Sequence, residues 1–163
     1  MQIQTTRLGC VTVDPNHILI FPRGLVGFPE QVRFALLRGA PAPTPAATPA
    51  PASLEGPFYW LQATDSPELA FLVANPAHFF KDYHVSIREE TQADLNLADA
   101  KDGQLLVICN RAGDWLTGNL LGPLVINTRT RIGQQVVLTE KKWTCRQPLI
   151  EIQSDVATLA RAA

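Results

Sequence analysis

The sequence predicts a mainly β, single-domain protein with one or two short helices. Short runs rich in β-branched and aromatic residues alternate with turn residues, as in antiparallel sheets. The most informative stretch, residues 119–138, has two apolar runs separated by polar residues and Gly133, which predicts a long hairpin with a charged tip. A chain of 163 residues is long enough to bury about two thirds of its unfolded surface in one domain.

The N-terminal part of the chain predicts four strands. Residues 3–6 and 11–13 form a first hairpin, and residues 17–21 form a third strand that Pro22 ends. Residues 32–37 are a fourth apolar run. These strands are too few to close a sheet alone, so the domain must continue beyond them.

Residues 40–53 contain five prolines and no charged or large apolar side chain. Such a composition cannot bury a core, so we expect an extended, mobile loop. A proline-rich docking ligand is the alternative, but the segment itself contains no basic residue and no periodic motif. We therefore predict a passive insertion that interrupts one domain, residues 1–149.

Two strong strand candidates follow, at residues 58–62 and 69–73. Consecutive side chains of a strand alternate between faces, so Phe58, Tyr59 and Trp60 cannot all point the same way. In one interpretation, one face is a binding surface. In the other, further elements cover both faces.

The second half of the chain predicts mixed elements. Asn119 and Asn127 bracket the first apolar run of the hairpin, and turn chemistry alone explains both. Pro123 must begin that strand or lie on an edge or bulge. The other predictions are a helical turn at 76–80, a surface helix at 88–100, a strand at 104–109, a turn at 111–114, strands at 124–126 and 136–138, an edge strand at 139–147 and a tail, 150–163, with helical spacing.

Charge is distributed unevenly along the chain. The whole sequence has a net charge of −1, but residues 64–102 hold eight acids and three bases, a net −5. Residues 128–163 hold six bases and three acids, a net +3. An acidic face would attract a basic protein and repel nucleic acid. The alternative is that these acids are solvated loop residues without a partner.

The sequence also bears on the cellular compartment in which the protein works. No window approaches the roughly 18 apolar residues of a membrane span, and the first residues do not have a secretory signal pattern. We expect a cytoplasmic protein that binds no membrane. Cys10, Cys109 and Cys145 fit neither a disulfide framework nor a zinc spacing, so we expect reduced, core-like residues.

No residue pattern in the sequence predicts catalysis. His17, His78 and His84 lack metal-ligand spacing, and no serine lies in a Gly-x-Ser-x-Gly motif. Gly24 and Gly27 have the spacing of tight turns without the Lys-Ser/Thr of a phosphate loop. We predict no catalytic residue, no metal ligand and no cofactor, which makes the chain a binding protein.

Several blocks together resemble one family. They are Phe21-Pro-x-Gly-x-x-Gly-Phe28, Phe58-Tyr-Trp-Leu-Gln62, Leu69-Ala-Phe71, Asn119-Leu-x-x-Pro123 running into Val125-Ile-Asn127, and Gly133-x-Gln-Val-Val-Leu138. Over residues 1–149, the order and spacing of these blocks resemble those of the flagellar assembly factor FliW family. The sequence departs from the family pattern at Gly122, where Ala is more usual, at Gln147, often His, in the insertion and in the tail.

The resemblance implies a small, mostly antiparallel β-barrel-like fold without enzymatic activity. It also implies binding to flagellin and to CsrA, a small basic RNA-binding regulator whose repression of flagellin translation is relieved when flagellin is exported. An acidic central segment suits a basic protein partner and disfavours direct RNA binding.

Twelve residues are candidates for partner binding. Asp65, Glu68 and Asp82 are chosen by charge, for the CsrA-type contact. The other nine are Tyr59, Trp60, Gln62, Phe79, Phe80, Tyr83, Asn119, Pro123 and Asn127. Which of them would contact flagellin and which CsrA is left open.

An alternative class is a small OB-like barrel that binds nucleic acid, with Tyr59, Trp60 or Phe71 stacking on bases. The net negative charge argues against it. An enzyme would need convergent titratable groups in a pocket, and the sequence nominates none.

Overall fold

The computed structural model describes residues 1–37, 57–99 and 102–151. In these ranges the chain forms eleven strands, one short helix and two 3-10 turns. The strands are β1 Gln2–Thr5, β2 Gly9–Thr12, β3 Ile18–Ile20, β4 Arg33–Leu37, β5 Phe58–Ala63, β6 Ala70–Ala74, β7 Gly103–Ala112, β8 Trp115–Gly118, β9 Leu124–Asn127, β10 Gly133–Gln135 and β11 Gln147–Glu151; the helix α1 is Glu89–Asp94, and the turns are Pro15–His17 and Pro76–His78.

Seven of the strands form a curved antiparallel sheet in the order β10-β9-β7-β6-β5-β4-β3. The two ends of this sheet meet at a parallel bridge between Ile20 and Ile132. The backbone N–H of Ile20 donates to the carbonyl of Arg131 at 2.8 Å. A single bridge stands here in place of a continuous ladder, so the barrel is not closed, and the predicted antiparallel, barrel-like fold is confirmed.

β7 is the strand that joins the parts of the fold. On one side it pairs with β6, and on the other side first with β9 and then with β8. β11 pairs with β8 and so extends the sheet beyond the ring. The β1–β2 hairpin is a separate two-stranded sheet.

Strict alternation along the strands separates the interior of the barrel from its outer face. Interior positions such as Phe34, Leu61 and Leu106 form one cluster. Their neighbours in the sequence, such as Ala35 and Trp60, point outward and pack with the β1–β2 hairpin in a second cluster. Both faces of β5 are therefore covered, which favours the second interpretation of the three adjacent aromatics.

The loop after β3 is a tight turn, as predicted. Gly24 has φ +65°, a left-handed conformation that favours glycine. A Cβ at this position would clash with the carbonyl oxygen of Phe28. The turn seats Phe21 and Leu25 in the barrel interior.

The long hairpin is confirmed, but its second strand begins earlier than predicted. Strand β10 covers residues 133–135, where the sequence predicts strand at 136–138. Beyond it, the N–H of Val136 donates to Pro123 at 2.9 Å and that of Leu138 to Leu121 at 2.7 Å. Polar Gln134 and Gln135 take ladder positions because backbone pairing does not require apolar side chains.

Three other predictions are wrong in part. The edge strand expected at 139–147 is instead β11, residues 147–151, so the first residues after 149 are strand and not helix. Helix α1 ends at Asp94 and does not reach residue 100. Cys109 is buried, but Cys10 and Cys145 are exposed and not core-like, because both lie on short edge or loop segments. The Ala/Pro-rich segment and residues 152–163 lie outside the described residues.

Candidate functional site

The structure separates the predicted partner-binding residues by burial. Asp65, Glu68 and Asp82 are exposed, and Tyr59, Phe79, Phe80 and Asn119 are half-buried. The remaining five are buried: Trp60, Gln62, Tyr83, Pro123 and Asn127. Buried side chains support the fold, so surface contacts must come from the first two groups.

The three acidic candidates do not form one patch. Asp65 and Glu68 lie in the turn that follows β5, whereas Phe79, three residues before Asp82, packs on Phe58 at the start of β5 with 5.7 Å between ring centroids. A strand rises about 3.3 Å per residue, so the two ends of β5 are roughly 16 Å apart. The acidic face expected from the sequence is therefore divided in two.

At the Asp82 end of β5, Phe80, Tyr83 and Trp143 form an aromatic cluster. The ring centroid of Trp143 lies 5.3 Å from that of Phe80 and 5.3 Å from that of Tyr83. The Tyr83 pair is edge-to-face, an arrangement that aromatic quadrupoles favour. Two chain segments about sixty positions apart, residues 80–83 and Trp143, meet here.

Two hydrogen bonds through the backbone of Leu120 fix these segments to one another. The hydroxyl of Tyr83 donates to the carbonyl of Leu120 at 2.7 Å. The N–H of Leu120 in turn lies 3.1 Å from the carbonyl oxygen of Thr144, next to Trp143. Burial raises the pKa of Tyr83 well above its ordinary value, so the hydroxyl stays protonated and keeps donating.

An ion pair borders the aromatic cluster. The ammonium of Lys142 donates to the carboxylate of Asp82 and also lies over the ring of Trp143, 5.0 Å from its centroid. The hydrogen bond from Lys142 holds the pKa of Asp82 below its ordinary value. Asp82 is thus partly neutralised, which weakens its value as an attractor of cations.

A second acid of the central segment is also paired. Arg23 donates to the carboxylate of Asp94 at 3.0 Å. Since at least these two acids are partnered by bases from other segments, the −5 of residues 64–102 overstates the free negative charge.

The hairpin residues of the family pattern serve the fold. The side-chain amide of Asn127 donates to the carbonyls of Leu95 at 2.9 Å and Asn96 at 3.2 Å. Its oxygen accepts from the N–H of Arg129 at 2.9 Å and of Thr130 at 3.3 Å. Asn127 therefore ties the end of β9 to the turn after α1.

Asn119 and Pro123 have similar structural roles. The side-chain oxygen of Asn119 accepts from the N–H of Leu121 at 3.2 Å, which shapes the turn before β9. Pro123 directly precedes β9, where a missing N–H costs no ladder bond.

Gln62 is likewise a turn residue. It is 1% exposed, and its side-chain amide lies within 3.0–3.2 Å of the carbonyls of Ala63, Ser66, Pro67 and Leu69. Gln62 therefore organises the loop that presents Asp65 and Glu68.

The three rings of the nucleic-acid alternative do not form an exposed platform. Trp60 is 8% exposed and lies beneath the guanidinium of Arg7, 4.5 Å from the ring centroid. Phe71 packs in the barrel interior with its centroid 5.3 Å from that of Phe28. Tyr59 lines the interior as well. Bases could not stack on this arrangement without rearrangement of the core.

Two site residues, Lys142 and Trp143, were not predicted. The only signal in the sequence is a lone tryptophan in a polar run, which suggests burial of that one side chain. Its partners lie about sixty positions earlier, as the Lys142–Asp82 separation illustrates.

The described residues contain no group of three or more His, Cys, Asp or Glu side chains that could hold a metal ion. Among them there is also no helix long and apolar enough to cross a membrane.

Comparison with known proteins agrees with this architecture. The family model described as FliW protein matches residues 2–149. The chain is 33% identical to the flagellar assembly factor FliW of Magnetococcus marinus, over 100% of this chain and 94% of that protein. The chain belongs to the FliW family.

Other FliW proteins show similar agreement. Identity is 34% to the flagellar assembly factor FliW of Geotalea uraniireducens, over 93% of this chain and 85% of that protein. A crystal structure of the flagellar assembly factor FliW matches with a TM-score of 0.75 at 30% identity, covering 92% of this chain and 97% of that one. The family is one of flagellar assembly factors and is not an enzyme family.

Proposed function

We propose that this FliW family member is a cytoplasmic, non-catalytic factor that binds flagellin and a CsrA-type regulator. By holding the regulator, the protein would relieve repression of flagellin translation, and flagellin that binds to the protein as it accumulates would cause the regulator to be released. The observation that carries the proposal is the family match over residues 2–149, nearly the whole chain. The assignment of partners rests on that family role together with the two surfaces described above.

The loop that presents Asp65 and Glu68 suits the basic regulator. Both carboxylates are exposed, and neither takes part in an ion pair among the described residues. Unpaired surface carboxylates accelerate encounter with a cationic protein and set its salt dependence. Asp82, the third acid chosen by charge, is already paired with Lys142 and therefore contributes less.

The aromatic cluster suits flagellin. Half-buried Phe80 of the cluster and its half-buried neighbour Phe79 offer apolar area, and exposed Lys81 and Lys142 border them. Aromatic side chains with a charged rim are typical of protein interfaces. Because the two surfaces lie at opposite ends of β5, we expect their effects to be separable.

Mixing the purified protein with flagellin and, separately, with CsrA tests this proposal by size-exclusion co-elution. The double variant Asp65→Lys/Glu68→Lys should weaken CsrA binding at low salt and leave flagellin binding unchanged. The variant Phe80→Ala should do the reverse. A matched control, Glu90→Lys, reverses an exposed acid on α1 and should affect neither. If the wild-type protein co-elutes with neither partner, the proposal fails.

No observation favours the nucleic-acid alternative, because its candidate rings pack within the hydrophobic clusters of the protein. A mobility shift of RNA by this protein alone would revive it.

A further inference from the structure

One end of the barrel opens into a cavity of about 120 Å³. Its position follows from the strands: Leu36 is near the end of β4, Tyr59 near the start of β5, and Gln104 near the start of β7. In an antiparallel ring, these positions lie at one end. The cavity is therefore a mouth of the barrel, and we call it the barrel mouth.

The floor of the barrel mouth is aliphatic. It is formed by Leu19, Leu36, Leu106 and Ile126, one residue each from β3, β4, β7 and β9. All four belong to or pack on the interior cluster. An apolar body of a few carbon atoms would be buried here.

The rim of the barrel mouth is polar, and its charged member is a cation. Arg131 lines it, and no acidic residue does. The two ion pairs formed among the described residues, Arg23–Asp94 and Lys142–Asp82, do not include Arg131. Nothing on the rim offsets its positive charge, so an anion is favoured there.

The amide on the rim adds donors. The side-chain oxygen of Asn75 already accepts from the N–H of Ala77 at 3.0 Å, so its amino group is the part left to bind a ligand. A guanidinium and an amino group are both donors, and charged donors bind carboxylate oxygens most strongly.

The backbone of Arg131 is fixed at the seam of the barrel. Its N–H donates to Asn127 and its carbonyl accepts from Ile20, both at 2.8 Å. Its φ of +66° is in the left-handed region, where glycine or asparagine would fit with less strain. An arginine at this strained position is thus better explained by the use of its side chain than by the turn itself.

We propose that the barrel mouth binds a small organic anion, a carboxylate on a short aliphatic body. The carboxylate would contact Arg131 and the amino group of Asn75, and the aliphatic part would contact the leucine floor. The same chemistry occurs in a free monocarboxylate and in a glutamate side chain of a bound protein. None of the lining residues belongs to either partner surface proposed above, although Asn75 and Tyr59 lie at the same end of β5 as Phe79.

Nuclear magnetic resonance titration of the full chain tests the proposal with three probes. Butyrate represents the free acid, butyramide is its neutral isostere, and an acetylated and amidated Ala-Glu-Ala peptide represents a protein side chain. We expect saturable shifts of the Asn75 and Gln104 side-chain amide signals with a carboxylate and none with butyramide. Butyrate binding alone identifies a free acid, and tighter binding of the peptide identifies a protein side chain.

Two matched variants locate the charge. Arg131→Asn removes the cation and tolerates the left-handed backbone, so it should weaken binding about tenfold or more. Arg129→Asn, an exposed residue of the same turn that does not line the cavity, should bind like wild type. Equal shifts with butyramide, no saturable shift with either carboxylate, or full binding by Arg131→Asn would each overturn the proposal. The wild-type titration decides the matter even if a variant does not fold.

Discussion

The hydroxyl of Tyr83 donates to the backbone carbonyl of Leu120 across 37 positions of the chain. Leu120 is fully buried, so no water is at hand to replace that donor. This bond and the edge contact with Trp143 hold the aromatic cluster against the turn before β9. The proposed flagellin surface therefore depends on a residue that is itself inside the protein.

Tyr83→Phe should lower the free energy of unfolding by about 1–3 kcal/mol, because it leaves a buried carbonyl without its donor while keeping the ring. Urea denaturation at neutral pH measures this change. Tyr83→Leu, which also removes the aromatic contacts, should cost more. If Tyr83→Phe were as stable as wild type, the hydrogen bond would not contribute as described.

Asn127→Ala should lower the free energy of unfolding by about 3 kcal/mol or more, since two carbonyls and two N–H groups lose a buried partner. Asn127→Asp keeps the acceptor but places a carboxylate against the carbonyls of Leu95 and Asn96, so this variant should also be destabilised.

The matched control for Asn127 is Asn110→Ala, which truncates an exposed side chain on β7. Thermal and urea unfolding should leave this control within about 0.5 kcal/mol of wild type. Equal losses at both positions would contradict the role assigned to Asn127.

Cys109 should make stability depend on pH in the alkaline range. Burial raises the pKa of its thiol to about 12, against about 8.5 for a thiol in an unfolded chain. Between these values only the unfolded state loses the proton, so stability is full below about pH 8.5 and falls above it, by at most about 1.4 kcal/mol per pH unit. Urea midpoints measured from pH 8 to 10 should show this slope, and Cys109→Ala should reduce it.

Thiol labelling checks the burial behind that prediction. In the native protein Cys10 and Cys145 should react with a thiol reagent, and Cys109 should react only after unfolding. Rapid native labelling of all three cysteines would show that Cys109 is accessible.

Lys142→Met should raise the pKa of Asp82 toward its ordinary range, because the main cause of the lowered value is the hydrogen bond from Lys142. Methionine keeps apolar contact with Trp143. A carboxyl titration by nuclear magnetic resonance measures the shift. The Lys142–Asp82 pair stabilises the fold above the unfolded-state pKa of Asp and loses this effect as the pH falls. Because both side chains are more than 60% exposed, we expect little change in the free energy of unfolding. An unchanged Asp82 pKa would contradict the pairing.

Local patterns predict most of this fold. Alternation and aromatic content locate β5 and β6, and Pro123 fixes the start of β9. The second hairpin strand and β11 are misplaced because polar residues can fill ladder positions when the backbone partner is supplied from elsewhere in the chain. Residue preference carries no information about that partner.

The site is less predictable from sequence because it is made by distant contacts. Charge alone groups Asp65, Glu68 and Asp82, but only the fold shows that β5 separates them and that Lys142 pairs with Asp82. The family pattern likewise marks Asn127, whose role in tying β9 to α1 becomes clear only from its four hydrogen bonds.

The central claim is that this protein relieves repression by a CsrA-type regulator and that flagellin reverses the relief. Translation of a flagellin reporter in a purified system, repressed by CsrA, tests it most directly. Adding the protein should restore translation, and adding flagellin afterwards should reduce it again. Unchanged repression after the protein is added in excess would contradict the claim.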